Sequence, residues 1–212
     1  MKKASLSFVF LFFFFLPVSA QNNQAVYTST KATWFGIDFS KAAFAGDFSE
    51  FKDAGGKSGA QIRDKYFPGW NDLIKNESEK YDLKKAYGKE EVTYDLTVVR
   101  QRNKAVDADK LMVDDISQST LTKADVEKIV SHYKSDKTGL GILYVVQSFD
   151  KPAERATIWV TFFDIATRKV LSTEQYEGKA GGFGIRNYWA KSILHVLDDS
   201  GDAYHKAAKK AK

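Results

Sequence analysis

The hydrophobic and polar positions of this chain predict a sheet with helices packed on it. Residues 33–39 are apolar on both sides, as in a central strand. Residues 92–98 alternate between apolar and polar, as in a strand with one exposed face. Three more strands follow with short turns between them, at residues 142–149, 156–164 and 169–176. Successive strands with short connections usually pair side by side, so these three predict an antiparallel meander.

Helical spacing of apolar residues predicts three helices. Residues 61–76 carry an apolar stripe with charged residues opposite. A second helix begins after Thr122, because its hydroxyl and the Asp125 carboxylate match a capping box, and its buried stripe is Val126, Ile129, Val130 and Tyr133. The third covers residues 185–197. The expected fold class is α/β (α+β), a mixed sheet of about five strands with a C-terminal antiparallel meander and about three helices packed on it.

The amino-terminal end has the pattern of a cleavable signal peptide. Lys2 and Lys3 precede an apolar run over residues 8–16, which is shorter than the roughly 20 residues that span a bilayer. Small residues then precede a cleavage position near Ala20–Gln21. We therefore expect residues 1–20 to be a signal peptide, and the mature protein to be periplasmic or secreted with no transmembrane anchor.

The remaining chain divides into a flexible leader (residues 21–31), a single α/β domain (32–200) and a basic tail (201–212). The tail is either a frayed helix end or a contact with an anionic surface such as lipid headgroups or a polyanionic glycan. The formal net charge of +5 falls to +3 once Lys2 and Lys3 leave with the signal peptide. Such a small excess does not predict a nucleic-acid partner.

The chain contains no cysteine, which excludes disulfides, thiol nucleophiles, thiolate metal sites and a lipid anchor on cysteine. It has three histidines, but no two of them have the spacing of metal ligands. The serine motifs Gly-x-Ser-x-Gly and Ser-x-x-Lys are not found either. We therefore predict no catalytic residue, no bound metal and no cofactor.

Two segments suggest a weak ligand-binding site. Asp38 follows the first strand, and sites of open α/β sheets lie at the carboxyl ends of strands. Glycines at 181–184 leave free amides at the start of the last helix, and neighbouring basic residues add charge that favours an anion. The expected ligand-binding residues are Asp38, Lys179, Gly182, Gly184 and Arg186. A loop-capping role for the aspartate and a tight connection at the glycines are the alternatives that the sequence leaves open.

Other conspicuous residues have structural explanations. Asp164 enters a tight turn, where an aspartate bonds backbone amides two residues further along the chain. The tryptophans fall on predicted buried stripes or central strands, which favours core packing over a sugar-binding platform; they are Trp34, Trp70, Trp159 and Trp189.

Residues 140–197 resemble the last half of a group of bacterial envelope domains. A strand (141–147), a hairpin (159–171) and a closing helix carry the similarity. The group includes the curli-secretion lipoprotein family and the amino-terminal domain of the Tol-system propeller protein, whose hairpin turn has a glycine where Arg168 stands here. Residues 36–40, and the glycine loop with the Arg-Asn-Tyr-Trp that follows it, also look like uncharacterised secreted proteins of Gram-negative bacteria. The resemblance implies an α/β sandwich that binds other envelope components, and it transfers no catalytic residue.

The expected function is that of an exported, non-catalytic envelope or secreted protein whose partner is an envelope protein or a cell-surface component. The alternative is a small anionic-ligand-binding protein or enzyme, with a site between the first strand and the glycine loop at 181–184.

Overall fold

The computed structural model describes residues 24–48, 51 and 58–211 of the 212-residue chain. The predicted signal peptide, residues 1–20, and its cleavage position lie outside these residues. The described chain has the predicted α/β character, with helices packed on a mixed sheet. Within it, no helix combines the length and the apolar composition needed to cross a membrane.

A seven-stranded sheet forms the centre of the fold. Its strands are β1 (Lys31–Asp38), β2 (Ala43–Ala45), β3 (Glu91–Tyr94), β4 (Met112–Val113), β5 (Leu140–Asp150), β6 (Arg155–Asp164) and β7 (Val170–Lys179). Strand β5 is central: β1 and then β2 pair with it in parallel along one edge, and β6 pairs with it antiparallel along the other. Strands β3 and β4 extend the sheet beyond β1 and β2 in parallel, and β7 pairs antiparallel with β6.

Six helices surround the sheet in the described chain, one over residues 24–28 and the five numbered below, together with shorter helical turns. Helix α1 has three consecutive parts, an α-helical turn (Gly59–Gln61), a π-helical turn (Ile62–Tyr66) and an α-helix (Phe67–Asn76). The others are α2 (Leu83–Ala86), α3 (Thr97–Lys104), α4 (Lys123–Val130) and α5 (Gly184–Lys210). The sequence predicts about five strands and three helices. Among the additional elements, β2 and β4, with three and two residues, are too short to show alternation.

Two local predictions are confirmed. Helix α4 begins with the expected capping box, in which Thr122 Oγ1 accepts a hydrogen bond from Asp125 N (3.2 Å) and Asp125 Oδ2 accepts one from Thr122 N (2.9 Å). The tryptophans are core residues, none more than 8% exposed.

Helix α5 covers one face of the sheet. Its Trp189 stacks on Phe149 of β5, with 4.5 Å between the ring centroids. The same face continues through Ala156 of β6 to Gly178 of β7, which pair across the strands. A Cβ on Gly178 would lie 2.0 Å from the Ser192 carbonyl oxygen, so only glycine lets the helix approach this closely.

Helix α4 covers the opposite face. Tyr133, three residues beyond its end, lies edge-on to Phe163 of β6. Neighbouring residues of a strand point to opposite faces. Asp38 accordingly reaches Tyr133 on the α4 face, whereas Phe39 lies edge-on to Phe149 on the α5 face.

Two buried asparagines bond the backbone at the end of β1, where β3 has already ended. Asn71 Oδ1 accepts a hydrogen bond from Ile37 N (2.7 Å), and Asn103 Oδ1 accepts one from Phe39 N (2.8 Å). Both side chains donate through Nδ2 to the Ile37 carbonyl. Gly36, with φ of 102°, permits this approach, because a Cβ there would lie 2.5 Å from Asn71 Oδ1. The asparagines therefore fix the backbone on both sides of Asp38.

The two ends of the described chain are joined by a buried lysine. Lys89 Nζ donates to the carbonyls of Val26 (2.7 Å) and Ser29 (2.8 Å) and to Tyr204 Oη (3.0 Å). Burial lowers the pKa of Lys89 to about 8. Residues 24–28, within the predicted leader, form a helical turn with Val26 buried, and residues 201–210 of the predicted tail continue α5. Both segments belong to the domain because these contacts hold them to it.

The turn between β6 and β7 contains a strained residue. Asp164 Oδ1 accepts hydrogen bonds from Thr167 N (2.8 Å) and Thr167 Oγ1 (2.6 Å), which confirms its predicted turn role. Arg168 has φ of 58°, in the left-handed region that glycine prefers.

Arg168→Gly is expected to raise the free energy of unfolding by about 0.5–1 kcal/mol, since relief of the left-handed strain exceeds the added entropy of the unfolded chain. Urea denaturation measures the change. The control is Lys169→Gly, at a position without positive φ, which should destabilise the protein. Equal losses in both variants would show that the turn is not strained at Arg168.

Candidate functional site

Asp38 is the centre of a buried polar network at the carboxyl end of β1. Its side chain is completely buried. Oδ1 accepts a hydrogen bond from Ser40 N (2.7 Å), and Oδ2 accepts one from Arg102 Nε (2.7 Å) and one from Tyr133 Oη (2.6 Å). Ser40, Arg102 and Tyr133 with Asp38 are called the Asp38 network below. Both carboxylate oxygens are therefore engaged by the protein, and Asp38 acts on any ligand through its partners.

Arg102 is the member of the network that reaches towards solvent, with 19% of its side chain exposed. Its Nη2 donates to Ser40 Oγ (2.7 Å), and the guanidinium lies 5.7 Å from the centre of the Tyr133 ring. Burial acts to lower the pKa of Arg102, but the charge and hydrogen bonds of Asp38 raise it overall. Burial, and then Asp38, raise the pKa of the Tyr133 hydroxyl well above its ordinary value. The network thus holds a charged guanidinium beside a neutral phenol.

A cleft of about 640 Å³ lies next to the network, between α3, α4 and the loop after β1. We call it the Arg102 cleft. Lys128, Ile129 and His132 approach it from α4 and the turn after it, Lys41 from the loop after β1. Spacing of three and four residues brings side chains to the same side of a helix, which explains how Lys128 and His132 share this cleft.

The Arg102 cleft has an excess of positive charge. Lys41, Arg102 and Lys128 line it, opposed by the carboxylates of Asp107 and Asp125. Both carboxylates are used locally. Asp107 Oδ1 accepts from Asp109 N (3.2 Å), and Asp125 bonds Thr122 in the capping box. These Thr122 hydrogen bonds, with smaller effects of Lys128 and Lys41, lower the pKa of Asp125.

Neither Lys41 nor Lys128 has a carboxylate within 4 Å among the described residues. Among all described residues, no three acidic or histidine side chains are arranged to hold a metal ion. The cleft is therefore suited to the negative charge of an anion.

The predicted glycine loop lies elsewhere. Gly182 and Gly184 have φ of 110° and 74°, so the loop needs glycine at both positions. Lys179 is the last residue of β7. Arg186, in the first turn of α5, donates through Nη2 to Glu77 (3.1 Å), and its carbonyl accepts from Trp70 Nε1 (2.9 Å). The loop thus connects β7 to α5 and bonds to helix α1.

The structure does not bring the five predicted ligand-binding residues into one pocket. Asp38 points to the α4 face, whereas Gly182, Gly184 and Arg186 lie at the start of α5, on the other face. None of the partners of Asp38 in the described chain belongs to the loop. Asp38 is part of a candidate site, with partners to which the sequence analysis gave no role in a site.

The missed residues are Arg102, Lys128 and His132. The four-residue spacing of Lys128 in α4 and His132 in the turn after it was a usable signal. Arg102 had none, because α3 was not predicted. No protein-family model matches this chain, and no curated protein is significantly similar to it in sequence, so the functional case rests on the chemistry of the Arg102 cleft.

Proposed function

We propose that this chain is an exported binding protein, with no chemistry of its own, that holds a small carboxylate or phosphate anion in the Arg102 cleft. The observation that carries the proposal is the fixed guanidinium of Arg102, which shares a cleft with two lysines that have no carboxylate partner among the described residues. The cleft also lies at the carboxyl end of parallel strands, where open α/β sheets bind ligands.

The geometry of Arg102 supports anion binding. Nε donates to Asp38 and Nη2 donates to Ser40, while Nη1 has no hydrogen-bond partner among the described residues. A guanidinium already fixed in place loses little conformational entropy when it binds an anion, and it offers directional hydrogen bonds. Lys41 and Lys128 would add flexible positive charge on the cleft walls.

Binding is favoured over catalysis because the ionisable groups of the Asp38 network are occupied by one another. The Tyr133 hydroxyl donates to Asp38, and burial holds its pKa far above neutrality. The Asp38 carboxylate is fully buried. A general base has to reach the proton that it removes, and Asp38 is shielded by its own partners.

The proposal keeps the export expected from residues 1–20, and places the protein in the periplasm or outside the cell. The resemblance of residues 140–197 to bacterial envelope domains supports the same location. The anionic group could then belong to a small solute, or to the envelope protein or cell-surface component that the resemblance implies as a partner.

The test is titration of the protein with inorganic phosphate and with citrate, followed by calorimetry. Lys41→Gln and Lys128→Gln should each weaken binding about 2- to 5-fold, the usual worth of one exposed charge pair. The double variant should weaken it about tenfold, and added salt should weaken it further. Lys84→Gln, an exposed lysine of α2, is the matched control. No measurable binding, or equal weakening by Lys84→Gln, would contradict the proposal.

A further inference from the structure

A second depression, of about 360 Å³, lies on the other side of α3, between that helix and α1. We call it the α1–α3 groove. Successive residues of a helix are 100° apart, so Arg100 and Lys104 project away from the side that carries Arg102. Consistent with this, Arg100 and Lys104 line the groove, and Arg102 lines the cleft described above. The two depressions are therefore separate.

The interior of the groove is mainly apolar. Pro68 of α1 and the alkyl stems of basic side chains from both helices line it, and Phe67 lies beneath them with no exposed surface. Asn71 and Asn103 lie at its base and are almost fully buried. Their amides are bonded to the backbone at the end of β1, so the base offers little to a polar ligand. An apolar group is the chemistry that fits this interior.

The rim of the groove is basic, with Arg63, Arg100 and Lys104 against one lining carboxylate, that of Asp64. Arg63 donates to both oxygens of Asp64 (2.7 and 3.0 Å), and Arg100 donates to Asp72 (2.6 Å).

Lys104 has no carboxylate within 4 Å among the described residues. The hydrogen bond from Arg63 lowers the pKa of Asp64, and the charge of Lys104 adds to this effect across the groove. One ammonium group at the rim is thus available to an anion.

One wall of the groove is the π-helical turn of α1, which contributes Arg63 and Asp64. Phe67 N donates to the Ile62 carbonyl, five residues earlier, and Pro68 has no amide hydrogen. This turn therefore departs from regular α-helix where it borders the groove. Such π-turns are frequent at functional sites.

We propose that the α1–α3 groove binds a small amphipathic anion, an aliphatic carboxylate of medium chain length. The aliphatic chain lies against Pro68 and the alkyl stems of the basic side chains, and the carboxylate lies at the basic rim beside Lys104. An apolar interior with a cationic rim complements this class of ligand, whereas the Arg102 cleft is bordered by charged groups and takes polar anions. The proposal does not depend on ligand binding in the Arg102 cleft.

The experiment is an NMR titration of the whole protein with the series from butanoate to octanoate, below micelle-forming concentrations. Affinity should rise about fourfold for each added methylene until the groove is full. The side-chain amide signals of Asn71 and Asn103 should shift, and 1-octanol should bind more weakly than octanoate.

One variant and its control separate the contribution of the rim charge to binding from that of the apolar interior. Lys104→Gln should weaken octanoate binding about threefold and leave 1-octanol binding unchanged, and Lys84→Gln should alter neither. Absence of octanoate binding, an affinity independent of chain length, or shifts confined to the Arg102 cleft would each overturn the proposal. Loss of phosphate binding in the lysine variants of that cleft would leave this result unaffected.

Discussion

Asp38→Ala is expected to lower the free energy of unfolding by about 3–5 kcal/mol, because it leaves a mostly buried guanidinium without its counter-charge. Arg102 would lose the acceptor of its Nε, and the Tyr133 hydroxyl would lose its acceptor in a buried position. The Ser40 amide would also lose its partner. Urea denaturation measures the loss directly.

Asp72→Ala is the matched control, because Asp72 also pairs with an arginine of α3 at 2.6 Å, but both side chains are exposed. Its removal should cost less than about 1 kcal/mol. Combining Asp38→Ala with Arg102→Met should cost less than the sum of the two single losses, since the double variant contains no uncompensated charge. If the loss at Asp38 were no larger than the loss at Asp72, the buried network would not be what holds Arg102 in place.

The second large effect is a rise of stability with pH that depends on Lys89. Burial lowers the pKa of Lys89 from 10.5 to about 8 in the folded protein, so the unfolded chain binds more protons between these values. The free energy of unfolding should therefore increase from pH 8 upwards, by about 2 kcal/mol at pH 9.5. The contribution is complete only above pH 10.5, and it is lost as the pH falls towards 8.

Tyrosines limit the upper end of this range. Burial raises the pKa of Tyr81 and Tyr204 to about 12, so their ionisation in the unfolded chain lowers stability above about pH 10. The expected profile has a maximum between the two effects. Lys89→Met should abolish the rise between pH 8 and 9.5, and Lys84→Met, in an exposed position, should preserve it. A rise that persists in Lys89→Met would assign the effect to another group.

Much of the fold was predictable because several elements have strong local signals. Strands β5 and β6, which contain Tyr144 and Trp159, have alternating or continuously apolar sequences. The capping box at Thr122 sets the start of α4. The class of fold, α/β with a mixed sheet, followed from these signals.

Helix α3 had a misleading signal. The alternation that begins at Val92 continues to Val98, beyond the end of β3 at Tyr94. Asp95 Oδ1 accepts a hydrogen bond from Thr97 N (3.2 Å), and the chain turns into a helix there. The pattern of apolar residues contains no information about this side-chain hydrogen bond, which competes with the strand. Arg102 was consequently placed in no helix or strand, and its role in the candidate site could not be predicted.

The position of Asp38 in the sequence predicted part of its role. Its place after a central strand indicated the correct end of the sheet. Its hydrogen-bond partners Arg102 and Tyr133 lie far along the chain, at separations of 64 and 95 residues. The glycine loop had a comparable local signal, but the face of the sheet on which it lies depends on how α5 packs, which no local pattern specifies.

The central position of β1 has a consequence for how the chain folds. β1 is the earliest strand, yet its partner along one edge begins at Leu140, and the first helical turn is held by Tyr204. Contacts between such distant segments must wait for nearly the whole chain, and proteins dominated by them fold slowly. During synthesis the first strand therefore has only β3 as an available neighbour until β5 has been made.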